Sequence, residues 1–581
     1  MAKADTRQGR RARQRIVLRR ALVLGLNLGT VAALFTAMVA LIAPGGITLL
    51  EAAMLALYAL TLPWLAIGFW NAVIGFALTW ARDPAGLVNP AVARADTTAP
   101  ITTRTAIVMA LRNEAPEKVF ERLQTLQADL ARRAPGRFAF HVLSDTSDPA
   151  IAAREEAAFA IWRARAGAAV HYRRRPENHG YKAGNVMEFA RRAAGRYDFM
   201  LPFDADSTMS GPAVLRLVRI LQAAPEIGIL QGLVVGSPAE SFFTRAFQFG
   251  MRHGMRAFTL GSAWWQADCG PYWGHNALIR LAPFAAHCDL PVLPGQGVLS
   301  GHILSHDQVE AALMRRAGYE VRVLAEEDES YEANPPSLPD FIKRELRWCR
   351  GNMQYFQLLA LPGLPVTTRV QLALAILMYL SAPAWMGVIL LGAAMAVTQD
   401  MSGVSVIAGL SLFAVIMALN LMPKLMGLAQ VLARRDAAAR YGGRARVALG
   451  GAVEIAFSIL TAPAVAFALA LCCLGLLFGR GLDWDAQQRD PRRLGWAEAA
   501  RSLWPQTLFG LGLGALLAAT APWALAFGAP VVLSLSAAVP LAVLSTLPGP
   551  GAFSRRTGLF DIPEDRAAPP PAAPTAIPEA A

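Results

Sequence analysis

The chain has 581 residues, 54% of them hydrophobic and 17% charged, with a mean hydropathy of +0.36, which excludes an ordinary soluble protein and predicts membrane spans. The formal charge of +13 comes from arginines that flank apolar runs, a pattern of membrane topology rather than of a nucleic-acid stripe. Five cysteines, an odd number with no Cys-x-x-Cys pair, argue against disulfide staples and a zinc ribbon.

Residues 1–18 form a basic segment, and the apolar run that follows to about 43 is too long for a signal peptide. Two spans are therefore predicted within 19–82, with the N-terminus in the cytoplasm. From about 100 to 340 no run can cross a bilayer, and β-prone stretches at 105–110, 138–143, 168–172, 197–203 and 227–231 alternate with helical ones such as 117–131 and 182–194. This alternation predicts a cytoplasmic α/β domain, a doubly wound, mostly parallel sheet with helices on both faces. A mixed basic and aromatic segment, 341–365, reads as an amphipathic helix at the membrane surface.

The region 366–550 carries apolar runs at 369–397, 403–432, 447–478, 505–527 and 529–547. Arginines crowd both ends of 447–478: Arg434, Arg435, Arg440, Arg444 and Arg446 before it, and Arg480, Arg489, Arg492 and Arg493 after it. The positive-inside bias then places both ends in the cytoplasm, so this segment is expected to be re-entrant or interfacial, broken near Pro463. Six crossings follow, up to eight if the segment counts as two. The tail 563–581, rich in Pro and Ala, is expected to be disordered and cytoplasmic.

Asp204 and Asp206 end the apolar run 199–203 as Asp-x-Asp, an arrangement of oxygen ligands suited to Mg²⁺ or Mn²⁺ with a diphosphate. Asn113 and Glu114 follow the first strand, and Asp145 ends the second at the same edge of the sheet, where ligands gather in open α/β folds. Lys182 lies in a Gly-rich turn opening a helix, placed to meet phosphate or ribose oxygens. The aromatic stretch 264–280, with Trp273 and His275, suits carbohydrate faces and equally suits packing against a membrane. His302 and His306 have metal-ligand spacing, but the segment reads as a loop entering a helix, and Asp307 serves better as an isolated base. Arg347 and Trp348 fit either a snorkelling belt or a sugar contact.

Taken together, Asp145, Asp204-x-Asp206, Asp307 and Arg347-Trp348 resemble, in order, the nucleotide-binding Asp, the Asp-x-Asp, the base-bearing motif and the Gln-x-x-Arg-Trp motif of glycosyltransferase family 2. Two positions depart from the common pattern: Arg344 stands at the Gln position, and Ser305-His306-Asp307 replaces Thr-Glu-Asp. The strings Tyr272-Trp-Gly-His-Asn-Ala, Leu304-Ser-His-Asp and Arg347-Trp-Cys are similar to the subfamily that makes osmoregulated periplasmic glucans in Gram-negative bacteria. The resemblance implies a glycosyltransferase A-type, Rossmann-like domain inserted between transmembrane helices of a multi-pass inner-membrane enzyme. It implies UDP-glucose as donor, a growing β-1,2-glucan as acceptor, Asp307 as catalytic base and inversion at the anomeric carbon. Asn113, Glu114, Asp145, Lys182 and Asp204 would hold the nucleotide sugar; Asp204 and Asp206 the metal; Trp273, His275, Arg347 and Trp348 the acceptor. Membrane lipid, a periplasmic glucan-processing protein and acyl carrier protein are the partners it raises. Another processive polysaccharide synthase of the same family shares these catalytic residues.

Overall fold

The computed structural model describes residues 7–44, 46–327, 329–399, 403–481 and 492–566. Two long helices, α1 (Arg7–Ile42) and α2 (Leu49–Leu78), lead into an α/β domain. Its seven-stranded sheet is built from β1 (Thr105–Leu111), β2 (Phe138–Ser144), β3 (Val170–Arg174), β4 (Phe199–Phe203), β5 (Ile227–Gly232), β6 (Ala277–Arg280) and β7 (Glu320–Leu324). The spatial order is β3-β2-β1-β4-β6-β5-β7. Every neighbouring pair is parallel except those of β6, which runs antiparallel between β4 and β5. The register of β1 pairs Leu111 with Ser144 and Met109 with Phe203, so the ends of β2, β1 and β4 form one continuous edge.

Both faces of this sheet are buried, as near-continuous apolar strands require. Ile107 and Met109 of β1 point to a cluster with Phe120, Leu123 and Trp162. Ala106 and Val108 point the other way, into a cluster that begins with Val186 and Phe189 and continues through Tyr355, Leu372 and Tyr379 to Leu469. That second cluster passes from the domain into the membrane helices without a gap in its contacts.

A 25-residue helix, α3 (Phe242–Gln266), is inserted between β5 and β6, and no helix was expected from the sequence there. It lies so close to α2 that a Cβ on Gly75 would come within 1.7 Å of the Ala257 carbonyl, and one on Gly261 within 1.8 Å of the Asn71 carbonyl. Trp265 donates its indole N–H to Asn71 at 3.0 Å across the same contact. The expected interface segment is α4 (Leu338–Met353), capped by Ser337, followed by a short turn of helix, α5 (Tyr355–Leu358).

Beyond it run α6 (Val366–Thr398), α7 (Val406–Ala433), α8 (Arg444–Leu477), α9 (Trp496–Thr520), α10 (Leu525–Ser536) and α11 (Ala538–Thr546). Among the described residues six helices are long and apolar enough to cross a membrane, or seven if the bent pair at 522–546 is one span. The break expected at Pro463 is not there: α8 is one helix of 34 residues. Proline withholds the N–H that would bond Ile459, and the Ser534 hydroxyl donates to the adjacent Leu460 carbonyl at 2.6 Å, which supports the helix locally. The bend lies instead between α10 and α11, at 55°. Near its start α8 meets Phe249 and Gly250 of α3, and at its end Cys473 lies 3.6 Å from Cys349 of α4. Both ends of α8 thus touch elements on the domain's side.

Structure also extends further into the tail than expected, because Pro563–Arg566 form a helical turn; residues 567–581 lie outside the described residues. Arg245 and Arg252 of α3, with side chains only 3% and 2% exposed, hold this segment through Asp561 at 2.9 Å and Glu564 at 2.8 Å. Removing one partner of a buried pair strands a charge, at about 3 kcal/mol. Asp561→Ala with Glu564→Ala should therefore lower the thermal unfolding midpoint by several degrees. An unchanged midpoint in the double variant would mean that the segment is not docked in solution.

Candidate functional site

The site lies beyond the edge formed by β2, β1 and β4, and its residues fall into two halves. On the β1–β2 side, Asn113 takes a left-handed backbone with φ of +61°. Its side-chain oxygen accepts from the N–H groups of Ser147 and Asp148 at 3.0 and 3.1 Å, tying one strand-end loop to the next. Glu114 accepts from the Arg112 N–H. Asp145 is nearly buried and receives both arms of Arg175, at 2.7 and 2.8 Å. Arg175 was not expected from the sequence, although it ends a run of three arginines leaving β3. Its guanidinium, 9% exposed, also donates to the carbonyls of His179 and Tyr181, fixing the Gly-rich turn that carries Lys182.

On the β4 side, Lys182 pairs with Asp204 and donates to the Gly274 carbonyl at 2.9 Å. Gly274, with φ of +83°, packs against the opposite wall: a Cβ there would meet His306 Cε1 at 3.5 Å and Asp307 Cβ at 3.6 Å. A single glycine therefore separates the Asp-x-Asp turn from the proposed base. Asp307 opens the helix Asp307–Arg316, behind His306, whose Nδ1 lies 2.9 Å from buried Glu310. Asp206 sits half-buried in the turn after β4.

The loop that delivers Asp307 is held by α4 and α5. Gln354 donates to the His302 carbonyl at 3.0 Å and accepts from the Leu304 N–H at 2.8 Å. Tyr355 donates to the Ser305 carbonyl at 2.9 Å. Gly351 is the contact point, since a Cβ there would lie 2.2 Å from the Ser305 hydroxyl. The sequence carried no signal for these ties, because backbone carbonyls accept from any suitable donor.

His275, expected at the acceptor, has both ring nitrogens engaged inside the protein, with Ser207 at 2.9 Å and Glu332 at 3.3 Å. Burial alone would lower its pKa, but the Glu332 hydrogen bond and the Asp204 and Glu332 charges outweigh it and raise it to about 9. Glu332 shows the complement: burial raises it, while the His275 hydrogen bond and charge and then the Arg344 charge hold it below its ordinary range. Arg344, at the motif position where Gln is usual, thus acts on the site electrostatically and stacks on Trp348 at 4.6 Å. Trp348 itself is 42% exposed. Trp273 is half-buried, and its backbone N–H donates to Gln231 at 2.8 Å.

Because His275 rises from 6.5 to about 9 on folding, its attraction to Glu332 contributes fully below about pH 6.5 and is lost as pH rises through about 9. The thermal advantage of the native chain over Glu332→Gln should shrink between pH values of about 6 and 10. An advantage independent of pH would show that the pair is not ionised.

Comparison with known proteins matches the model described as glycosyl transferase family 2 over residues 106–287, and that described as glycosyl transferase family group 2 over 201–399. The chain is 35% identical to the glucans biosynthesis glucosyltransferase H of Xanthomonas campestris pv. campestris, over 95% of this chain and 88% of that one. It is 36% identical to the protein of that name from Caulobacter vibrioides, over 91% and 82%, and to that from Pseudomonas entomophila over 90% and 63%. Among solved structures, a mannosyltransferase from Pyrobaculum calidifontis aligns with a TM-score of 0.45 at 16% identity, over 66% of this chain and 97% of that one. The chain belongs to glycosyltransferase family 2 and, within it, to the glucans biosynthesis glucosyltransferase H family.

Proposed function

We propose that this multi-pass membrane protein transfers glucose from UDP-glucose, with inversion, onto a growing chain that becomes the β-1,2-linked backbone of osmoregulated periplasmic glucans. The observation that supports this reading is the Gly274 contact, with the Asp204–Lys182 pair on one side of that residue and Asp307 on the other. The names of the relatives supply the product class.

Asp204 and Asp206, carboxylates in one turn at the end of a strand, would hold a divalent cation. Among the described residues no group of three or more His, Cys, Asp or Glu could cage a metal alone, which is the usual situation for Mg²⁺. Such an ion, Mg²⁺ or Mn²⁺, supplies charge stabilisation to the departing diphosphate. Lys182 adds a mobile positive charge at the same place, moving from Asp204 to the phosphates as donor binds. Asn113, Glu114 and Asp145 line the uridine side, and Arg175 must loosen its hold on Asp145 for that carboxylate to reach a base edge. Asp307 accepts the acceptor hydroxyl's proton as that oxygen attacks the anomeric carbon and UDP leaves, which converts an α-linked donor into a β-linkage. Glu310 holds His306, which keeps the start of the Asp307 helix in place. Trp273, Arg347 and Trp348 receive the glucan, while His275 supports the Asp-x-Asp turn through Ser207 rather than touching sugar.

The domain and both termini face the cytoplasm in this reading, at the inner membrane. The helix α8 then lies along that surface, since both of its ends meet the domain's side.

The test uses the full chain in lipid with labelled UDP-glucose and Mg²⁺, followed by linkage analysis. The expected product is a β-1,2-glucan. Asp307→Asn should cut turnover by about 10²–10⁴-fold while UDP binding is kept; Asp204→Asn and chelation of the metal should abolish turnover with loss of UDP affinity. A product of another linkage would overturn the product, and an active Asp307→Asn enzyme would overturn the base.

A further inference from the structure

A cavity of about 190 Å³ opens between β2, β3 and the far end of the helix Tyr181–Ala193, away from Asp204 and Asp307. Its floor is a pair of histidines. His141 and His171 stand opposite each other in the β2–β3 register, with rings stacked at 4.5 Å. Phe189 closes one side, its ring 4.7 Å from His141, and His141 Nε2 lies 3.0 Å from the Tyr197 hydroxyl. Burial first, then the charges of His171, Arg196 and Arg173, hold His141 down at about 3, so the floor is uncharged and aromatic.

The rim is cationic. Arg173, Arg192 and Arg196 line the opening. Among the described residues one carboxylate pairs with them, Glu188, 2.7 Å from Arg173 and 2.6 Å from Arg192, while the Asp145 charge also reaches Arg173. Glu188 is further shared with Arg175 at 3.7 Å. Three guanidinium groups against the one Glu188 carboxylate leave a positive excess, and the Arg173 Nε–H is buried without an acceptor. Guanidinium forks match phosphate oxygens two at a time, and an aromatic floor suits the apolar face of a small ring. The volume is below that of pockets for drug-sized ligands, so it suits a phosphorylated monosaccharide rather than a nucleotide sugar.

We propose that this cavity is a second ligand site for a small phosphate ester, distinct from the transfer site and coupled to it through Glu188 and Arg175. Arg175 is the link because it grips Asp145 with both arms. An occupant that draws Arg173 and Arg192 onto its phosphate leaves Glu188 to Arg175, which loosens the hold on Asp145. The coupling, unlike the site, rests on the reading of Asp145 as a uridine-side residue.

Glucose 1-phosphate serves as probe, titrated calorimetrically into the full chain in zwitterionic nanodiscs with EDTA, so that no cation can recruit phosphate to Asp204. Saturable binding is expected, unchanged in Asp204→Asn and weakened at least about tenfold in Arg192→Ala with Arg196→Ala. Both of these arginines are exposed, and an unchanged unfolding midpoint will show that the variant folds. Binding that survives the double substitution, or is lost in Asp204→Asn, overturns the site. So does absence of saturation, including the case where only discs containing phosphatidylglycerol protect the cavity, which would make it a headgroup site. With Mg²⁺ restored, the probe should tighten UDP binding about threefold or more in the native chain and not in the double variant. Equal UDP affinity with and without probe overturns the coupling, and Asp145→Ala without effect on UDP affinity would overturn the uridine reading instead.

Discussion

The α/β domain and the long apolar helices share one apolar core among the described residues. The apolar cluster on one face of its sheet, beginning at Val186, continues through Cys349 and Tyr355 of α4 and α5 to Tyr379 of α6 and Leu469 of α8. Burial of this kind is worth roughly 25 cal/mol for each Å² removed from water, so separating the domain from the membrane helices would expose part of its own core. The surroundings of Asp307 therefore depend on α4 and α5 as well as on the sheet.

The two sides of the site depend on this fusion unequally. Asp145 and Asp204 are held by strand ends, whose positions follow from the sheet register. Asp307 is not: its loop hangs from Gln354 and Tyr355, and α4 approaches it so closely that only glycine fits at 351. Since α4 is also packed against α8 through Cys349 and Cys473, a shift of these helices moves Asp307 relative to Asp204. Catalytic rates respond steeply to displacements of about 1 Å, so the position of α4 is a natural point of control over transfer.

How much of this was legible in the sequence depends on what each residue uses to act. The strands at 105–110, 138–143 and 227–231 were readable because apolar runs bounded by turns mark buried parallel strands, and they appear within a residue or so. Asp145 and Asp204 could be placed at one edge of the sheet from the sequence, because each directly follows a strand-like run, and Asp307 could be placed at a helix start; the structure puts them there. Arg175, Glu332, Gln354 and Tyr355 were not, since their partners are far apart in the chain and only folding brings them together. The unbroken α8 also escaped, because a proline inside an apolar run reads as a break, whereas here the helix runs through Pro463. The helix Phe242–Gln266 was missed because its apolar face answers to α2, whose approach at Gly75 the sequence alone does not reveal.

The arginine excess shows the same limit from another side. Read along the chain, basic residues beside apolar runs are a topology signal, yet several of them are consumed as ties between distant elements. Arg20 of α1 meets Asp268 at 2.6 Å, and Asp268 also receives Arg315 from the helix that Asp307 opens. Burial would raise the Asp268 carboxyl, but Arg315 and Arg20 hold it below its ordinary range. Arg434 donates to the Thr79 carbonyl at the end of α2, and Arg492 bridges Asp340 and Glu498. An arginine fork makes such cross-links where a lysine would supply only a point charge. The positive-inside pattern and the stitching of domain to membrane therefore draw on the same residues. Both require arginine on the domain's side of the bilayer, which is why a charge count alone cannot separate a marker of orientation from a structural tie.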